Sequence, residues 1–143
     1  MSEKTPLVSI IINCYNGEKY LAEAINSIYA QTYKNWEIIF WDNASIDSSA
    51  TIAKSYDKRL KYYSSKSTTT LSHARFEAVK KINGEYLSFL DCDDLWQNDK
   101  LEKQIEIFLQ DSSLAFVYGL TQVIYDDDKK KLIRSDTNVI PEN

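Results

Sequence analysis

Hydrophobic positions along this chain follow two periods that take turns. Leu7-Val8-Ser9-Ile10-Ile11-Ile12-Asn13 is a short, nearly unbroken apolar run rich in β-branched residues. It is too apolar for a half-exposed edge and predicts a central parallel strand. Asn16-Gly17 interrupts it, and Tyr20, Leu21, Ala24, Ile25 and Ile28 then recur at helical spacing to about Ala30, one apolar stripe on one helix face. Trp36 to Trp41 predicts a second strand, a short helix follows from about Asp47 to Tyr56, and Leu60 to Tyr63 forms a modest third strand. The polar loop from Ser64 to Thr70 leads into a helix from about Ser72 that carries Ala74, Ala78, Val79 and Ile82 inward. Asn83-Gly84 is expected to stop that helix, with the glycine in the left-handed conformation. Glu85 to Leu90 predicts a fourth strand, and Leu101, Ile105, Phe108 and Leu109 mark one face of a fourth helix. Ala115 to Tyr125 and Lys131 to Ile133 flank a charged run, Asp126-Asp127-Asp128-Lys129-Lys130, as a hairpin with a solvated tip.

Strands alternating with helices of this length imply an α/β fold, a mostly parallel sheet flanked by helices, with a C-terminal hairpin. The expectation is one domain over residues 1–143, ordered from about 6 to 134, with a polar tail at 135–143. Composition narrows the function classes. A net charge of −4 and a pI near 5.0 disfavour a nucleic-acid binder, which normally shows a basic face. Three glycines leave no glycine-rich phosphate loop. The longest apolar runs are far too short to span a membrane, and no basic start leads into an apolar stretch near Met1; a cytoplasmic location is expected. Cys14 and Cys92 lack metal-type spacing and read as free thiols acting as small hydrophobes.

Chemistry gathers where strands end. In an open parallel sheet, ligands bind beyond the carboxyl ends of the strands. Here those ends are Asn13-Cys14-Tyr15-Asn16, Asp42-Asn43 and Asp91-Cys92-Asp93-Asp94. Three carboxylates within four residues after an apolar strand point to a divalent cation, Mg²⁺ or Mn²⁺, which would let an acidic protein hold a diphosphate. The plainer alternative is a solvated turn and helix cap. Asp42 and Asn43 suit a base's imide N–H, with Tyr15 stacking nearby, or simply a turn that caps the next helix. Arg75, near a helix start, suits a phosphate or an ordinary ion pair. His73, the single histidine, reads as a surface residue or cap.

Several segments resemble family 2 glycosyltransferases. Val8 to Asn16 resembles that family's opening strand, Ser27 to Thr32 its "S-x-x-x-Q-T" helix close, and Trp41 to Asp47 its "D-D-G-S-x-D" segment. Ala74-Arg75 resembles its "A-R-N" helix start, and Gly84 to Asp94 its "G-E-Y-x-x-F-L-D-x-D-D" signature. The resemblance covers about residues 6 to 125 and implies a GT-A fold with a D-x-D metal site. It implies transfer of a sugar from a nucleotide donor to an acceptor hydroxyl, usually with inversion, and commonly in surface polysaccharide synthesis. Carried onto this chain, Asn13, Tyr15 and Asp42 would line the base and ribose pocket. Asp93 would face ribose and metal, Asp94 would ligate the metal, and Asp91 would support both. Asn43 stands where the family has a second aspartate; its side-chain oxygen can still accept, and a UDP-sugar is the expected donor. Phe76 and Thr70 depart from a usual asparagine and glycine.

Only 49 residues follow Asp94. The expectation is therefore a donor-binding portion without the acceptor half, its catalytic base lying beyond Asn143. The acceptor would be a saccharide or a lipid-linked saccharide at the inner membrane face. Two rivals use the same residues: a haloacid-dehalogenase-type phosphatase with Asp91 as nucleophile, and a non-catalytic receiver-like module with an acidic pocket around Asp42. The first needs downstream motifs for which little chain remains. The second leaves the triple-acid turn without a reason.

Overall fold

The computed structural model describes residues 5–121. They divide into two units, one ending at Leu101 and the other starting at Glu102. The first holds β1 (Val8–Cys14), α1 (Leu21–Tyr29), β2 (Trp36–Asp42), α2 (Ser49–Lys54), β3 (Leu60–Ser64), α3 (Leu71–Val79) and β4 (Tyr86–Asp91). Helix α4 (Lys100–Gln110) begins at its end and runs on into the second unit. In that second unit residues 111–121 carry no strand. The hairpin expected over 115–133 is thus not seen in its described part, and the rest of it lies outside the described residues, as does the expected tail.

The sheet runs β3-β2-β1-β4 with all three pairings parallel. Every residue of β1 and β2 is buried, which is why both read as continuous apolar runs rather than alternating ones. Side chains alternate between faces. On one face Ile11, Ile39 and Trp41 pack with Ala74 and Ala78 of α3, and Tyr63 and Ile82 close the edge of this cluster. On the other, Tyr29 of α1 meets Trp36 edge to face at 5.0 Å, and the Lys54 ammonium of α2 lies 4.3 Å above the Tyr62 ring. Strand β4 is an edge strand, and its Leu87 and Phe89 stay exposed while Leu90 is buried.

Two expectations around α3 are corrected. Val79 is exposed rather than turned inward, because the helix ends there and only Ala74 and Ala78 face the sheet. Gly84 does not adopt the left-handed conformation, and the helix stops several residues before it. Its small size serves close approach instead: a Cβ at Gly84 would lie 2.5 Å from the Ser9 backbone nitrogen and 2.7 Å from the Leu7 carbonyl oxygen.

The same corner holds a buried carboxylate. Glu37 accepts from Lys61 Nζ at 2.6 Å, Ser9 Oγ at 2.7 Å and the Asn83 backbone N–H at 2.8 Å. Burial pushes its carboxyl up, but these donors outweigh that and hold it below its ordinary 4.5. A carboxyl held low by the fold stabilises fully above its ordinary value and loses that contribution as pH falls through the folded value. Glu37→Gln should lower stability at neutral pH by about 1–3 kcal/mol and flatten the loss of stability below pH 4.5, read by urea unfolding across acid pH. Gly84→Ala should cost about 2 kcal/mol or more in the same assay, since backbone on β1 must move.

Candidate functional site

Parallel pairing places Asn13 beside Trp41 on one side and Asp91 on the other, with Cys14 beside Asp42. The polar ends of three strands therefore lie at one edge of the sheet. The loops beyond them are laced together. Asn16, with φ 52°, receives the Ile46 N–H on its Oδ1 at 2.9 Å and donates its own N–H to Ser45 Oγ at 3.0 Å. Gly17 N–H donates to Ser49 Oγ at 2.9 Å, Glu18 N–H to Asp47 Oδ2 at 3.0 Å, and Ser48 N–H back to Glu18 Oε2 at 2.9 Å. Two sequence segments that each look like an ordinary turn thus satisfy one another's backbone.

Asp42 is buried at the end of β2. Its Oδ1 accepts the Ser45 N–H at 2.8 Å, closing a turn over Ala44, and its Oδ2 accepts the Tyr62 hydroxyl at 2.6 Å. Burial and then this carboxylate push the Tyr62 phenol up to about 12. Asn43 is equally occupied: its Oδ1 accepts from Thr69 N–H at 3.0 Å and Thr69 Oγ1 at 2.9 Å, and its Nδ2 donates to the Thr69 carbonyl at 2.8 Å. It ties down the polar loop before α3. Tyr15 is about half exposed. Thr70 caps α3 by accepting the His73 N–H at 3.3 Å, so the histidine stands at a helix start as expected.

The acidic turn is less uniform than its sequence. Arg75, from α3, donates to Asp91 Oδ1 at 2.8 Å with its guanidinium 5.4 Å above the Phe89 ring. One of the three acids is thereby neutralised by the protein itself. Asp93 and Asp94 are exposed, and among the described residues neither has an ion-pair partner. Burial, then the charges of Asp93 and Asp91, push the Asp94 carboxyl up. Asn13 Nδ2 and Arg75 Nε are buried beside Asp91 without a hydrogen-bond partner. Two hard carboxylates suit Mg²⁺ or Mn²⁺. Among the described residues no group of three His, Cys, Asp or Glu side chains could hold a metal by itself, so such an ion would complete its shell with ligand or water oxygens.

Two parts of the site were not singled out as such by sequence reasoning. Gln31, fully buried, donates through Nε2 to the carbonyls of Ser27 and Gln97, at 3.1 and 2.7 Å, and accepts the Leu101 N–H at 3.0 Å. With Ser27 Oγ accepting the Trp96 N–H at 3.2 Å, it anchors the segment that follows the acidic turn. The spacing of Ser27 and Gln31 was the available signal. The second part is the thiol pair. Both sulfurs lie against Gly17; the neighbouring Cys92 draws the Cys14 thiol down from 9.0 to about 7, while Cys14 and burial push the Cys92 thiol up.

The chain matches Glycosyl transferase family 2 over residues 9–141, and it belongs to that family. It is 36% identical over 119 residues to WfgD of Escherichia coli, a UDP-Glc:α-D-GlcNAc-diphosphoundecaprenol β-1,3-glucosyltransferase, covering 82% of this chain and 47% of that protein. It is 41% identical over 117 residues to an uncharacterized glycosyltransferase of Haemophilus influenzae, covering 80% and 46% respectively. The chain spans about half the length of these relatives. Among solved structures, S. aureus TarS 1-349 in complex with UDP-GlcNAc superposes with a TM-score of 0.69 at 27% identity, over 72% of this chain and 31% of TarS. The mannosyltransferase PcManGT from Pyrobaculum calidifontis, in complex with GDP-Man and Mn²⁺, superposes at 0.70 and 22% identity, over 87% and 37%. The fold is the GT-A fold of these glycosyltransferases, and family membership displaces the phosphatase and receiver readings. Among the described residues no helix is long and apolar enough to cross a membrane.

The positive φ of 63° at Ala44 is costly for any residue with a Cβ. Ala44→Gly should raise stability by about 0.5–1 kcal/mol, seen as a higher midpoint in urea at unchanged slope.

Proposed function

We propose that this chain is the donor-binding portion of a glycosyltransferase of cell-surface polysaccharide synthesis, working in the cytoplasm against the inner membrane face. It takes a nucleoside-diphosphate sugar, with a UDP-sugar favoured, and the acceptor is the hydroxyl of a saccharide or lipid-linked saccharide. The observation that carries this reading is the gathering of three polar strand ends at one sheet edge by parallel register. The family relationship, and relatives whose names include a UDP-glucose donor or whose structure holds UDP-GlcNAc, support it.

Each candidate residue has a role in this reading. Tyr15 offers an exposed ring for the base. Asp42 and Asn43 shape the base pocket through the loops they fasten, and Asn13 lines its floor. Arg75 holds Asp91 in place and keeps one buried nitrogen free for an acceptor atom on the ligand. Asp93 and Asp94 hold Mn²⁺ or Mg²⁺, which when bound offsets the charge of the diphosphate. In the transfer itself the acceptor oxygen forms a bond to the anomeric carbon as the bond to the diphosphate breaks. The hydroxyl proton passes to a base, which we assign to sequence outside the matched half of the relatives; displacement from the opposite side inverts the centre.

Calorimetry with UDP, dTDP and GDP, each with and without Mn²⁺, tests the reading. UDP should bind at least tenfold more tightly with the metal. Asp94→Ala should lose that metal-dependent gain while its circular dichroism stays unchanged. Equal affinity in the variant would reject the metal assignment, and no nucleotide binding at all would reject the donor site.

A further inference from the structure

Cys14 closes β1 and Cys92 lies inside the acidic turn after β4. The parallel ladder between β1 and β4 ends at the Asn13–Asp91 pair, and the next residue on each chain is a cysteine. Neighbouring strands stand about 4.8 Å apart, within the roughly 4.4–6.8 Å between Cα atoms that a disulfide spans. Both side chains point into the same small space. A Cβ at Gly17 would lie 2.8 Å from Cys14 Sγ and 2.9 Å from Cys92 Sγ, so only a glycine there leaves room for both sulfurs. Cys14 is buried while Cys92 is partly exposed, which gives a reagent one sulfur to reach and a second waiting behind it.

We propose that Cys14 and Cys92 form a redox modification site, a dithiol that a small-molecule disulfide or a peroxide converts reversibly into an intramolecular disulfide. With a small disulfide, the sulfur of one cysteine of the pair attacks one of its sulfurs and the first small thiol leaves. The sulfur of the other cysteine then attacks the protein sulfur of this mixed disulfide, forming the protein S–S bond and expelling the second thiol. Two electrons and two protons pass from the protein to the oxidant; hydrogen peroxide takes the same equivalents to two molecules of water, and an organic hydroperoxide to one alcohol and one water. The bond joins β1 directly to the turn that carries Asp93 and Asp94.

The test treats the reduced 143-residue chain with oxidised glutathione and maps its peptides by mass spectrometry. The expected product is lighter by two hydrogens, contains a Cys14–Cys92 crosslinked peptide, reverts with dithiothreitol and melts roughly 10 °C higher, as expected for closing a long loop. Cys92→Ser and, separately, Cys14→Ala should each abolish the crosslink. Recovery of both cysteines alkylated by iodoacetamide after oxidation, or of two independent glutathione adducts without a crosslink, would overturn the proposal.

Discussion

Parallel pairing sends every strand's carboxyl end to the same side of a sheet, and in this protein β1 is paired in that sense on both flanks. Nearly everything else about the candidate site depends on this. The register Trp41–Asn13–Asp91 sets three polar or amphipathic side chains in one row. One position further on, Asp42 and Cys14 form the next pair on the other face. A shift of one residue in the β1–β4 pairing would turn Asp91 to the other face, away from Arg75, and a like shift between β2 and β3 would part Asp42 from Tyr62.

Loops with such polar sequences would be mobile if each had only itself to bond to. They are held because each completes the other. The loop after β1 takes its backbone partners from the loop after β2 through Ser45, Asp47 and Ser49, and the loop before α3 hangs from Asn43. The segment following the acidic turn is hung in turn from Ser27 on α1 and from Gln31 just beyond that helix. Rigid elements thus carry the site through short side-chain hydrogen bonds, each of which satisfies a backbone group that would otherwise need water.

The electrostatics follow the same division. Asp42 and Asp91 have partners inside the protein, Tyr62 and Arg75, and so act as fasteners. Asp93 and Asp94 have none among the described residues, and their mutual repulsion is the only part of the acidic turn left to be balanced from outside. A sequence with three acids in four residues invites a reading in which all three serve one ion; the arrangement assigns them two different tasks.

Apart from the end of α3, which stops at Val79 rather than at Asn83-Gly84, the described helices and strands were legible within a residue or two, because continuous β-branched runs and 3.6-residue stripes leave few alternatives for residues such as Ile10–Ile12 or Leu21–Ile28. The order of polar strand ends was legible too, once those strands were taken as parallel. Partners were not. Nothing local in the chain says that Arg75 turns to Asp91 rather than to a ligand, or that Gly84 is there for its closeness to Ser9 and Leu7 rather than for its backbone angle. Nor does the spacing of Cys14 and Cys92 reveal that they meet over Gly17. Periodicity is a property of neighbours along the chain and survives in the sequence. Contacts between residues dozens of positions apart arise only when the sheet's register brings them across from one another, and that register is a collective outcome of packing.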